Sequence, residues 1–152
     1  MSAWTAISGA DGARTHHDVE VQMQELASSH PITSGCVMMG GFSNGGRAAL
    51  TLALKESFNV QYVVSVAGTL TDGSLANMDW QSIRAKTLPP ILLIVGEVDN
   101  PVQLRIQEQA RIFGLNGLDV SVQIIPALDH RPPDDLAKRV LTWLSSRSCG
   151  LS

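Results

Sequence analysis

Three residues of this chain have the types needed for nucleophilic chemistry: Ser43, Asp99 and His130. Ser43 sits in Gly41-Phe42-Ser43-Asn44-Gly45, a G-x-S-x-G spacing. That spacing suits a serine at the tip of a strained strand-to-helix turn, because only small neighbours let the two backbones approach so closely. In this role the Ser43 hydroxyl attacks an acyl carbonyl. His130 takes the hydroxyl proton and later returns it to the leaving group. Asp99 holds the imidazole in the right tautomer and stabilises the imidazolium. A helix starting near Asn44 aims free N–H groups and a positive dipole end at the forming oxyanion, with the Asn44 backbone N–H as one donor. Losing one such donor costs roughly 3–4 kcal/mol.

Each residue also has a plainer reading. A serine in a glycine turn is usually only a turn. An aspartate after a strand, beside Asn100 and Pro101, often forms a turn or caps a helix. A single loop histidine is usually solvated. What favours the chemical reading is that the three fall in one order, each just beyond a predicted strand. Glu97 competes with Asp99 as the acid but lies closer to its strand. Asp129 adjoins His130 and reads as a solvated neighbour, and Asp72 is a more distant candidate. His16 and His17 read as surface histidines, since no Cys, His or carboxylate spacing completes a metal site. His30, before Pro31, reads as a helix C-terminal residue. Trp4, Trp80 and Trp143 read as packing residues, with the lining of an acyl pocket as the alternative for Trp80.

The elements that must position these groups follow from periodicity. Residues 1–14 are small and polar apart from Trp4–Ile7, and read as irregular. Thr15 with Asp18 resembles a helix N-cap. Val19, Met23, Leu26 and Ala27 share one helical face, and Pro31 ends that helix. Cys36–Gly40 reads as a buried strand, followed by a glycine turn around Ser43 and a helix over Asn44–Ser57. Val60–Val66 is a second strand. Gly68–Asn77 reads as loop, with a short helix near Asp79–Ala85. Ile91–Val95 is the most apolar run and reads as a central parallel strand. Val102, Ile106, Ala110 and Phe113 mark a helix that Gly114 stops. Val120–Ile125 is the fourth strand. A last helix begins at Pro132 and Pro133, with Asp134 and Asp135 in its first turn and Leu136, Val140, Trp143 and Leu144 inside. The alternation predicts an α/β fold: a mostly parallel sheet of about four strands with helices on both faces. Ligands of such sheets collect at the carboxyl ends of the strands.

Bulk properties exclude several classes. At 152 residues the chain reads as one domain over 1–152, long enough for its own core. A net charge of −3 with no basic cluster argues against nucleic acid. No apolar run approaches the ~20 residues of a membrane span, and the N-terminus lacks the pattern of a secretory signal. Cys36 and Cys149 make no disulfide framework, which points to a reducing cytoplasm. No cofactor or metal is implied.

With these residues in hand, the chain resembles the phospholipase/carboxylesterase family of α/β-hydrolases, which includes the acyl-protein thioesterases. The resemblance rests on Gly40-Gly41-Phe42-Ser43-Asn44-Gly45-Gly46 running into Ala48-Ala49-Leu50, on Gly96-Glu97-Val98-Asp99, and on His130. The order Ser…Asp…His is that of the fold. Ala3-Trp4 is similar to a tryptophan the family carries before the elbow. Family members commonly carry Gln where this chain has Asn44, but the main-chain N–H does the work there. Dienelactone hydrolases and polyester depolymerases share much of the pattern. The resemblance implies a serine hydrolase acting on a small acyl ester or thioester. It also implies a truncated α/β-hydrolase fold, because only about 35 residues precede Cys36. Family members place further strands there and draw a second oxyanion N–H from an early glycine-rich loop. Two expectations follow. Activity on short esters should be weak or absent unless another segment supplies that donor. The open edge of the Cys36–Gly40 strand should be covered, by Trp4–Ile7 or by a second copy in a homo-oligomer. The rival expectation is a catalytically silent remnant that works as a binding or oligomerisation module.

Overall fold

The structure, a computed structural model, describes residues 12–29, 37–55 and 60–147. In chain order the elements are α1 (Gly12–Ser29), β1 (Met38–Phe42), α2 (Asn44–Lys55), β2 (Tyr62–Val66), α3 (Asp72–Ala76), α4 (Trp80–Arg84), β3 (Ile91–Gly96), α5 (Val102–Leu115), β4 (Val120–Ile125) and α6 (Leu136–Ser145). The four strands form one parallel sheet in the order β1-β2-β3-β4. Pairing runs to the strand ends, with Phe42 beside Val66, Val66 beside Ile94, and Gly96 beside Ile125. The carboxyl ends of the strands therefore form one rim, and the loops leaving it lie side by side.

The two central strands, β2 and β3, are buried throughout, so both faces of the sheet are covered there. Successive strand residues point to opposite faces. Val63, Ile91, Leu93 and Val95 join Leu50 and Leu54 of α2, Ile83 of α4, and Ile106 and Phe113 of α5 in one core. Tyr62, Val64, Val66, Leu92, Ile94 and Ile125 meet Val140, Trp143 and Leu144 of α6 in the other. All six residues of β3 are buried, so the strand carrying the loop of Asp99 is held from both sides. Trp143 packs edge-on to Tyr62 and lies under the Arg147 guanidinium. Trp80 packs edge-on to Phe113 against the first core. Trp4 lies outside the described residues.

Several boundaries differ from the sequence reading. β1 runs to Phe42, so Gly41 and Phe42 belong to the strand and the turn shrinks to Ser43. The reason is that Gly41 and Phe42 still pair with Ser65 and Val66. Cys36 lies outside the described residues. α1 begins at Gly12, which places Thr15 inside the helix, and it ends at Ser29, two residues before Pro31. A short helix, α3, replaces the loop expected over Gly68–Asn77; the Thr71 hydroxyl caps it by accepting the Ser74 N–H. α5 continues through Gly114 to Leu115. A glycine inside a helix costs only about 1 kcal/mol, which the buried Ile106 and Phe113 outweigh. The stop is Gly117, whose φ of 81° only glycine takes easily. α6 starts at Leu136 and not at the prolines; Asp135 flanks it as N-cap residue and pairs with Arg139 at 2.7 Å. That ion pair holds the Asp135 carboxyl below the usual carboxylate range.

β1 forms one edge of the sheet among the described residues, with Met38 exposed. The segment expected to cover it, Trp4–Ile7, lies outside the described residues. No helix among the described residues is long and apolar enough to cross a membrane.

Candidate active site

Ser43 follows β1 directly and takes a φ of 53°. Non-glycine residues rarely adopt this left-handed conformation, which stores about 1–3 kcal/mol of strain. Two contacts hold it. The Ser43 N–H donates to the Val66 carbonyl at 2.8 Å, and the Ser43 carbonyl accepts the Arg47 N–H at 3.0 Å. Close packing at the elbow depends on glycine. A Cβ at Gly41 would run into the Gly45 carbonyl and lie 2.8 Å from the Gly46 nitrogen. A Cβ at Gly46 would lie 2.6 Å from the Ser65 hydroxyl oxygen, where α2 crosses β2. Asn44 opens α2, and the first N–H groups of a helix have no carbonyl of their own helix to bond.

Asp99 lies three residues beyond β3 and is only 7% exposed. Its carbonyl accepts the Gln103 N–H at 2.8 Å, which ties it to the first turn of α5. His130 lies five residues beyond β4, after the turn at Pro126 and Ala127, where Ala127 has a φ of 55°. The two loops are laced together. Glu97 N–H donates to the Ile125 carbonyl at 2.9 Å and Val98 N–H to the Leu128 carbonyl at 3.1 Å. The Glu97 carboxylate accepts the Ala127 N–H at 3.1 Å. Gly96 makes this possible, since a Cβ there would overlap the Leu128 carbonyl.

The lacing brings three side chains into one line. His130 Nδ1 lies 2.7 Å from Asp99 Oδ2, and His130 Nε2 lies 3.0 Å from Ser43 Oγ. A carboxylate only accepts, so in the neutral ring Nδ1 carries the proton and donates it to Asp99. Nε2 is then an acceptor for the Ser43 hydroxyl. The imidazole side chain is 45% exposed, so the Nε2 side of the line can be reached from solvent.

All three residues singled out in the sequence are thus brought together. Their competitors are engaged elsewhere. Glu97 holds the Ala127 turn, Asp129 pairs with Arg131 at 3.0 Å, and Asp72 sits in the first turn of α3. Among the described residues no group of three His, Cys, Asp or Glu side chains is placed to hold a metal ion. One contact was not legible: the Phe42 ring packs on the His130 ring, with centroids 5.0 Å apart and planes at 46°. Its signal was the aromatic residue in the first variable position of the G-x-S-x-G pattern.

The model of the family described as Phospholipase/Carboxylesterase matches residues 13–147. The chain belongs to that family. No curated sequence matches it. Solved structures share its fold. The Zea mays acyl-protein thioesterase 2 is 20% identical with a TM-score of 0.68, over 95% of this chain and 69% of that one. Arabidopsis thaliana SOBER1 is 20% identical with a TM-score of 0.68, over 94% of this chain and 67% of that one. Esterase PE8 is 18% identical with a TM-score of 0.68, over 90% of this chain and 62% of that one. The chain thus spans between about three fifths and about seven tenths of the length of these relatives. Family members are hydrolases of the esterase and thioesterase type.

Proposed function

We propose that this chain hydrolyses carboxylic esters or thioesters through an acyl-enzyme on Ser43. One observation carries the proposal: a serine in a left-handed strand-to-helix turn, joined through one imidazole to a buried carboxylate. Ser43 Oγ attacks the acyl carbon as His130 Nε2 takes the hydroxyl proton. The resulting oxyanion is met by the Asn44 N–H. The tetrahedral species collapses, and His130 gives its proton to the departing alkoxide or thiolate. Water then enters, loses a proton to Nε2, and releases the acid from Ser43. Asp99 remains an acceptor throughout and favours the imidazolium that forms twice per turnover. The second oxyanion donor has no assigned residue among those described.

The rival reading, a silent module, is not favoured by the family or by the geometry. A remnant has no need of a strained serine aligned with His130 and Asp99. The deciding experiment is hydrolysis of p-nitrophenyl acetate and butyrate by the wild-type protein beside Ser43→Ala. Burst release of p-nitrophenol in the wild type, absent in the variant, is the expected result. Equal rates in the two proteins would remove Ser43 from the reaction.

A further inference from the structure

We propose that Phe42 is a positioning residue that braces His130; this rests on the triad reading above. The His130 Nδ1 bonds to the buried Asp99 and its Nε2 to the Ser43 hydroxyl; the Asp99 bond anchors the ring at one fixed point, while the hydroxyl can turn away. Around that point the ring can still swing, and a swing moves Nε2 away from Ser43. With nearly half of the side chain exposed, little packing is available to stop it. The Phe42 ring is the aromatic neighbour in place, with centroids 5.0 Å apart.

The brace itself is well founded. Phe42 ends β1, pairs with Val66 of β2, and packs against the core that β2, β3 and α6 share. It also precedes the nucleophile in the chain. In a regular strand the side chains at 42 and 43 would point to opposite faces. The left-handed turn at Ser43 breaks that alternation, so both side chains meet the same imidazole, one through its hydroxyl and one through its ring. A single strand end thus sets the base relative to the nucleophile it serves. The charged imidazolium formed during turnover also lies within the distance at which an aromatic ring attracts a cation.

The test removes the ring and keeps the bulk. Phe42→Leu and Phe42→Met should lower kcat on p-nitrophenyl butyrate about tenfold, since small misplacements of catalytic groups are costly. KM should stay within about twofold, the pattern of an interaction used in the transition state. Phe42→Tyr, which keeps the ring, should restore kcat to within about threefold of wild type. A second readout needs no turnover. In the wild-type protein the carbon-bound ring protons of His130, identified by their loss in His130→Ala, should show a ring-current displacement that Phe42→Leu abolishes. If both ring-less variants keep wild-type kcat, or if the wild-type His130 protons show no displacement, the proposal is overturned. If Phe42→Tyr fails as badly as Phe42→Leu, the ring is not the agent and the proposal also falls. A wild type that neither hydrolyses esters nor reacts at Ser43 would overturn the triad reading and this one together. An active, Ser43-labelled wild type matched by Phe42→Leu would overturn only this one.

Discussion

Asp99→Asn should lower kcat for p-nitrophenyl esters by about 10⁴-fold while leaving the fold intact. The cause is a tautomer. Asp99 Oδ2 accepts from His130 Nδ1 at 2.7 Å, which leaves Nε2 free to accept from Ser43. An asparagine amide that donates to Nδ1 forces the ring proton onto Nε2, and Nε2 can then no longer take the hydroxyl proton. His130→Ala should lose at least as much, because no other described side chain reaches Ser43 as a base. Glu97→Gln and Asp129→Asn should stay within about threefold of wild type, since neither carboxylate touches the imidazole. Steady-state kinetics on the four variants, each checked by circular dichroism, tests the ranking. A loss in Asp129→Asn equal to that in Asp99→Asn would transfer the acid role.

Gly41→Ala and Gly45→Ala should behave in opposite ways, although both occupy the glycine positions of one motif. At Gly41 the added Cβ would meet the backbone of Gly45 and Gly46, which no rotamer change can relieve. Forced overpacking of this kind costs about 1–3 kcal/mol or more. For a domain of this size that is a fall of roughly 3–10 °C in Tm. The turn would also open, so activity should fall with stability. At Gly45 no atom of the described residues beyond its own helix and chain neighbours lies within 4 Å of the added Cβ, and the residue is the second of α2. Alanine there should raise stability by roughly 0.5–1 kcal/mol through helix propensity, with activity kept. Thermal melts and ester assays on both variants check the contrast. A destabilised Gly45→Ala would mean that the elbow is packed differently.

The fold class was readable because buried parallel strands leave an unambiguous signal. Ile91–Val95 is a continuous apolar run, and all of β3 is buried. Val120–Ile125, half-buried at the sheet edge, is bounded instead by its β-branched residues alternating with Ser121 and Gln123. The differences between sequence and structure gather at glycine and proline, whose punctuating effect neighbouring contacts can override. Gly114 lies inside α5 because neighbouring core contacts outweigh its cost, while the stop sits at Gly117. Pro132 and Pro133 precede α6 without starting it. Gly41 stays in β1 because ladder pairing continues past it. The candidate site was legible as residue types at strand ends: Ser43, Asp99 and His130. What sequence could not carry is contact across loops. The lacing of Glu97 and Val98 to Ile125, Ala127 and Leu128 joins residues about 30 positions apart without any local pattern. The Phe42–His130 contact has the same character.

The role proposed for Ser43 is that of an activated nucleophile. The most direct measurement is reaction of the protein with a fluorophosphonate probe, followed by peptide mass spectrometry. One adduct is expected, on Ser43, that disappears in Ser43→Ala and is strongly slowed in His130→Ala. An unlabelled wild-type protein, or an adduct on another serine that survives Ser43→Ala, would contradict that role.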